Sequence, residues 1–166
     1  DIQGFADPAF YPELAQSDAR LVVMHSVQGR GKATVAQVPP AAIWDRLYAF
    51  FDGRIAALLA AGIARERLIL DPGMGFFLGE DPECSFAVLR KIEGLSGFYG
   101  LPTLISVSRK SFLRRFAGVD VAQSGPATLA AELFAAERGV AYLRTHDVKA
   151  LRTALAIKAA LGEDGI

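Results

Sequence analysis

Leu68-Ile69-Leu70-Asp71-Pro72-Gly73-Met74-Gly75-Phe76-Phe77-Leu78-Gly79 is the stretch on which the reading of this chain turns. Three branched apolar residues make a short buried strand, and they stop at a carboxylate followed at once by Pro and Gly. Asp71 therefore stands at the carboxyl end of a strand. The glycines on either side of Met74 let the backbone turn tightly and approach a bound molecule, while Phe76 and Phe77 are too apolar for an ordinary solvent loop. A flat ligand with polar edges suits such a place: the carboxylate accepts two hydrogen bonds from one edge of a heterocycle, and a ring covers its face. The alternative is that Asp71 caps the following helix and both rings belong to the core.

Working outward, the same texture recurs. Leu21–Met24 reads as a strand ending at His25, Thr103–Ser106 as one that delivers Val107-Ser108-Arg109-Lys110-Ser111, and Val140–Leu143 as one that delivers Arg144-Thr145-His146-Asp147. Between them lie helical patterns. Trp44, Leu47, Tyr48, Phe51, Ile55, Leu58 and Leu59 recur at three- and four-residue steps over Ala41–Ala61, and Gly62 ends that helix. Further helices are expected over Pro8–Asp18, from Asp81-Pro82 with Phe86, Leu89 and Ile92 inward, over Thr128–Arg138 with a stop at Gly139, and over Val148–Leu161. The stretch Ser26–Pro40, with Gln28, Gly29, Arg30, Gly31 and Lys32, is a polar and basic loop.

Strands alternating with helices at this spacing imply parallel strands joined by right-handed crossovers. In each unit the charged or reactive residue follows the strand directly. A (β/α)8 barrel concentrates its chemistry at that face, as does an open doubly wound sheet. No glycine-rich dinucleotide fingerprint follows any strand, which favours the barrel.

Composition bounds the rest. The chain has 166 residues, 52% of them hydrophobic, which fits one domain spanning 1–166 with a large core. Eighteen basic residues balance eighteen acidic ones, so no global field favours nucleic acid or an anionic membrane. The single Cys84 allows no internal disulfide, and two histidines without paired spacing leave no zinc motif, so a cytoplasmic setting is expected. The longest apolar run, near Ala56–Ile63, falls far short of the roughly 20 residues of a bilayer span.

Each reactive cluster has a plainer reading beside the chemical one. Ser108-Arg109-Lys110-Ser111 is either a solvated basic turn or the delivery of a Lys to the heterocycle held by Asp71. Arg144 and His146, two residues apart on an extended segment, point the same way and can clamp an anionic leaving group; otherwise Arg144 pairs with Asp147 and His146 is a core histidine. His25 reads best as a structural hydrogen bonder.

Taken together, Asp1-Ile2, Val23-Met24-His25, Leu70-Asp71-Pro72-Gly73-Met74-Gly75-Phe76, Ser108-Arg109-Lys110-Ser111 and Arg144-Thr145-His146-Asp147 resemble the dihydropteroate synthase family, in the family's order and over the whole chain. The resemblance implies a TIM (β/α)8 barrel of which this chain is roughly the C-terminal half, strands 5–8 plus the end of strand 4. It implies condensation of 6-hydroxymethyl-7,8-dihydropterin pyrophosphate with p-aminobenzoate, by departure of pyrophosphate and attack of the arylamine on the exocyclic carbon. Asp71 and Lys110 would hold the pterin, with Ile2 and Met24 lining its pocket. Phe76, Lys110 and Ser111 would border the p-aminobenzoate site, Gly75 and Phe77 would also contact substrate, and Arg144 and His146 would bind pyrophosphate. Mg2+ is implied as cofactor with its ligand on the family's N-terminal half, so no metal ligand is expected within these residues. A homodimer is expected, and the 166 residues by themselves are expected to be inactive. The runner-up resemblances are a pterin-binding methyltransferase barrel and an inactive pterin-binding fragment.

One departure is specific. Where the family has Gly-Lys after Gly75-Phe76, this chain has Phe77-Leu78-Gly79, and Glu80-Asp81-Pro82-Glu83 replaces a His-Asn pair. This resembles the Sul-type branch, which is insensitive to sulfonamides, and it puts Phe77-Leu78 forward as what rejects the drugs, with the Phe77 ring leaning over the outer part of the p-aminobenzoate pocket; the alternative is that Phe77 packs beneath the loop.

Overall fold

The computed structural model describes residues 1–27 and 37–162. Four strands lie side by side in chain order: β1 (Leu21–Met24), β2 (Leu68–Asp71), β3 (Leu104–Ile105) and β4 (Tyr142–Leu143). β1 and β2 pair in parallel from Leu21 opposite Leu68 to Met24 opposite Asp71. A parallel bridge joins Leu70 to Thr103, with the Leu70 N–H donating to the Pro102 carbonyl at 2.9 Å. β3 and β4 pair in parallel through Leu104 with Tyr142 and Ile105 with Leu143. All four strands therefore present their carboxyl ends to one face, as consecutive units of a (β/α)8 barrel do.

The helices between them follow from apolar spacing. In α2 (Ile43–Ala60) the residues Ile43, Leu47, Phe51, Ile55 and Leu58 form one buried stripe against the sheet. β2 is buried on both faces, so its sequence is a continuous apolar run rather than an alternation. α3 (Pro82–Arg90) starts where Asp81 Oδ1 accepts the Glu83 N–H at 2.8 Å and Pro82 occupies the first turn. α7 (Val148–Gly162) starts on Asp147, whose Oδ1 accepts the Ala150 N–H at 2.9 Å.

Several expected boundaries shift. The helix expected over Pro8–Asp18 is a 3-10 turn at Pro8–Phe10 followed by α1 (Tyr11–Gln16). The strand expected over Thr103–Ser106 shortens to its central pair, and the one expected over Val140–Leu143 to its last pair. Two helices were not anticipated. α4 (Glu93–Tyr99) forms although it contains Gly94 and Gly97, with Leu95 and Tyr99 buried four residues apart and Tyr99 O–H donating to Asp52 Oδ1 at 2.8 Å. α5 (Ser111–Ala117) directly follows Lys110 and buries Phe112 and Leu113. α6 (Gly125–Glu137) begins three residues before the expected Thr128, with Pro126 in its first turn. The basic loop residues Gln28, Gly29, Arg30, Gly31 and Lys32 fall outside the described residues. Among the described residues no helix is long and apolar enough to cross a membrane.

Candidate functional site

Asp71 closes β2 with only 4% of its surface exposed. Its Oδ1 accepts the Gly73 N–H at 2.8 Å, which ties the carboxylate to its own loop rather than to a following helix. Among the described residues nothing donates to Oδ2, which leaves one oxygen for a ligand. Burial pushes the carboxyl up to about 6, opposed by the Gly73 N–H and by the charges of Lys110 and Arg144. Such a carboxylate is poorly solvated and gains from any N–H donors that reach it.

The loop after Asp71 is shaped by two glycines. Gly73 has φ +71°, and a Cβ there would lie 2.5 Å from the His25 carbonyl oxygen and 2.9 Å from Phe77 Cβ. Only glycine meets both demands. Gly75 has φ +67°, and its N–H donates to Ser85 Oγ at 2.9 Å, a hydroxyl buried on α3. His25 braces the loop from β1: its N–H donates to the Asp71 carbonyl at 2.8 Å and its Nδ1 lies 3.1 Å from the Pro72 carbonyl oxygen. A carbonyl only accepts, so Nδ1 carries the hydrogen. Burial holds this imidazole down to about 4, in keeping with a neutral structural role.

Lys110 arrives by a strained turn. Arg109 has φ +58°, a left-handed conformation that costs a non-glycine residue about 1 kcal/mol. Its N–H donates to Thr128 Oγ1 of α6 at 3.1 Å, which holds the turn. Lys110 Nζ sits 4.7 Å from the centre of the Phe77 ring, a cation–π contact. Burial lowers the ammonium pKa, while Asp71 raises it and Arg144 lowers it further.

Arg144 and His146 are exposed at the rim, beyond β4. The Arg144 N–H donates to the Ile105 carbonyl at 2.9 Å, so the segment remains aligned with β3. Among the described residues Arg144 makes no ion pair, and Asp147 is engaged in capping α7. The expected alternative, an Arg144–Asp147 pair, is therefore not formed. His146 is held by Ser108, whose Oγ accepts the His146 N–H at 3.1 Å and lies 2.9 Å from Nδ1.

A cavity of about 490 Å³ joins these groups, lined by Ile2, Met24, Asp71, Gly73, Met74, Phe77, Ser106, Ser108, Lys110, Arg144, Thr145 and His146. Gly75 and Ser111 lie instead beside a shallow depression with Phe76, whose side chain is 53% exposed. Ser106, Ser108 and Thr145 were not singled out from the sequence as site residues, because their roles depend on partners in other units. Among the described residues no cluster of three His, Cys, Asp or Glu side chains could hold a metal ion.

Residues 1–146 match the family model described as "Pterin binding enzyme". A dihydropteroate synthase type-2 from Escherichia coli is 56% identical over 163 residues, covering 98% of this chain and 60% of that protein. A dihydropteroate synthase from Xanthomonas albilineans in complex with 7,8-dihydropteroate superposes with a TM-score of 0.81 at 30% identity, over 98% of this chain and 58% of the other. The X. albilineans enzyme with 4-aminobenzoic acid gives a TM-score of 0.84 at 31% identity, covering 98% and 56%. The chain thus spans less than two thirds of the length of these relatives, and what it spans is built as their TIM barrels are. The family match takes in every strand end that lines the cavity, from Ile2 to His146, and on that evidence the chain belongs to the pterin-binding enzymes.

Proposed function

We propose that the full chain carrying these residues is a dihydropteroate synthase, joining 6-hydroxymethyl-7,8-dihydropterin pyrophosphate to p-aminobenzoate. The observation that carries this reading is the convergence of Asp71, Lys110, Arg144 and His146, from three strand ends, on one cavity. Asp71 Oδ2 accepts from the N–H edge of the pterin, and the Lys110 ammonium donates to a ring carbonyl or nitrogen. Arg144 and His146 take the pyrophosphate at the rim, where a polyanion stays partly hydrated. As the bond from the exocyclic carbon to pyrophosphate oxygen breaks, its electron pair leaves with the phosphate. The cation left on the pterin–methylene is stabilised by the buried carboxylate. The p-aminobenzoate nitrogen then bonds to that carbon and loses a proton. A weakly basic arylamine needs no strong base for this step.

The Mg2+ implied by the resemblance finds no three-ligand cluster among the described residues, so no step is routed through it. We place any such ion with the pyrophosphate, held from outside residues 1–166. Equilibrium dialysis of the full chain with and without the pterin pyrophosphate would contradict this if Mg2+ bound equally well to both.

Sulfonamide insensitivity is assigned to Phe77. Its ring lines the cavity and stacks on Lys110, which supports a role in shaping the p-aminobenzoate side. Leu78 is fully buried, so replacing it by Lys would bury a charge and confound the test. The clean variant is Phe77→Gly alone. It is expected to become sulfonamide-sensitive by roughly 10²–10³-fold, for a discrimination of about 3–4 kcal/mol; persistent resistance in an active variant rejects the assignment.

A homodimer is supported by an apolar groove of about 480 Å³ across α3, α5 and α6, where Phe116 is 79% exposed. Sedimentation of the full chain as a monomer at micromolar concentration would contradict it. A cytoplasmic location fits the unpaired, buried Cys84 and is checked by cell fractionation, against which recovery in an exported fraction would count. Function is tested by incubating the full chain with both substrates and following dihydropteroate. Arg144→Ala should raise KM for the pyrophosphate substrate by about tenfold or more, and absence of product from the unaltered chain would refute the reading.

A further inference from the structure

Arg109 is one of two non-glycine residues in a left-handed conformation among the described residues, at φ +58°. The Lys110 N–H donates to the Val107 carbonyl at 3.1 Å and closes a four-residue turn in which Arg109 stands third. Ser108, the second residue, has no positive φ. Of the hydrogen-bonded turns, type II is the one that combines these two conformations, and glycine takes its third position without strain. Here an arginine takes it, with its side chain exposed.

The residues on either side of Arg109 both line the cavity. Lys110 places Nζ 4.7 Å from the centre of the Phe77 ring, and Ser108 Oγ accepts the His146 N–H at 3.1 Å. The peptide between Ser108 and Arg109 therefore sets the aim of two groups that face one ligand. Turned over, that peptide gives the type I form, in which Arg109 returns to a negative φ open to any residue. What opposes the flip comes from another unit of the fold: the Arg109 N–H, carried by that peptide, donates to Thr128 Oγ1 at 3.1 Å. Thr128 is buried near the start of α6 and gives its own N–H to the Ser124 carbonyl at 2.9 Å, so the helix backbone fixes the residue that carries this hydroxyl. The strain of a left-handed arginine and the worth of one such bond are of similar size, so a single bond is enough to decide which form the turn takes.

We propose that Thr128 is a positioning residue: by holding the Ser108–Arg109 peptide in the type II turn, it aims Lys110 at the bound heterocycle and keeps Ser108 against the His146 segment. The aim of Lys110 at a pterin rests on the function proposed above; the hold on the turn does not. Arg109 is where the dependence can be removed. With glycine there, the left-handed form carries no strain and the turn no longer needs the hydroxyl.

The test is a crystal structure of the Thr128→Val full chain, with calorimetric titration by 6-hydroxymethyl-7,8-dihydropterin pyrophosphate. Valine keeps the volume of threonine and removes the acceptor. The peptide should be flipped, with Arg109 at negative φ, and binding should weaken roughly tenfold, whereas Thr128→Ser, which keeps a hydroxyl, should bind within about twofold of the unaltered chain. On an Arg109→Gly background, Thr128→Val should change affinity by no more than about twofold, the loss of the arginine side chain itself cancelling in that comparison. A loss of packing at position 128 would weaken binding equally on both backgrounds. That result overturns the inference, as does an unflipped turn in Thr128→Val, or a flipped turn that leaves affinity unchanged. Should Thr128→Val fail to fold, Thr128→Ala takes its place in both comparisons. A flipped turn in Thr128→Val, where the unaltered full chain itself binds no pterin pyrophosphate, would uphold the hold on the turn and reject the synthase reading.

Discussion

Replacing Asp71 by Asn should make the unliganded full chain more stable and less able to bind pterin, and pH should reveal why. Asp71 is buried, with its carboxyl raised from 3.8 to about 6. At neutral pH the ionised form therefore costs the folded state about 3 kcal/mol, at roughly 1.4 kcal/mol for each tenfold change in acidity. The sign follows from the folded value lying above the unfolded one. Stability is fully present below pH 3.8 and is lost as pH rises through about 6. Asn keeps the oxygen that accepts the Gly73 N–H but carries no charge. Part of the gain is offset by an amide NH2 in a site built for an acceptor, so the net stabilisation should lie between about 1 and 3 kcal/mol. The assay is urea unfolding of both proteins from pH 3.5 to 8. The difference between them should be small below pH 4, grow to pH 6 and stay level above it. Comparison with the unaltered chain cancels the His25 titration, which runs through the same range with opposite sign. A difference that is independent of pH, or a variant less stable at pH 7 than at pH 4 relative to the unaltered chain, would refute the reasoning.

Other consequences follow from the same geometry. His25 is held at about 4 against an ordinary 6.5, so stability should fall by about 3 kcal/mol as pH drops through that window; in His25→Gln, unfolding curves should lack this slope. Gly73→Ala forces a Cβ to within 2.5 Å of the His25 carbonyl at φ +71°, and thermal melts should show a loss of at least about 2 kcal/mol. Ser85→Ala leaves the Gly75 N–H without its acceptor in a buried loop, for a cost of about 1–3 kcal/mol and weaker pterin binding by calorimetry. A Ser85→Ala protein as stable and as tight as the original would show that the loop does not need that anchor.

The sequence made the barrel units legible because strand ends carry their own punctuation. Leu68–Asp71 stops at Pro-Gly, and the α2 stripe repeats with helical period, so both element type and the placement of Asp71 follow from local signals. The short strands and α4 were harder, since tertiary contacts decide them: Tyr99 is committed by Asp52, 47 residues away. Within the site, residue types at strand ends could be named, but not their pairings. Nothing local says that Phe77 lies against Lys110 or that Ser85 anchors Gly75. Phe76 and Phe77 are adjacent in sequence and chemically identical, yet the 3-10 turn at Gly75–Phe77 sends only Phe77 into the cavity.

The central claim is that Asp71 and Lys110 hold a pterin in the cavity that Arg144 and His146 border. Calorimetric titration of the full chain with 6-hydroxymethyl-7,8-dihydropterin pyrophosphate tests it most directly, with Asp71→Ala measured beside the unaltered protein. Loss of a buried, charged acceptor facing ligand N–H groups should weaken binding by about 10²-fold or more. Equal affinity in the two proteins, both folded, would contradict the claim.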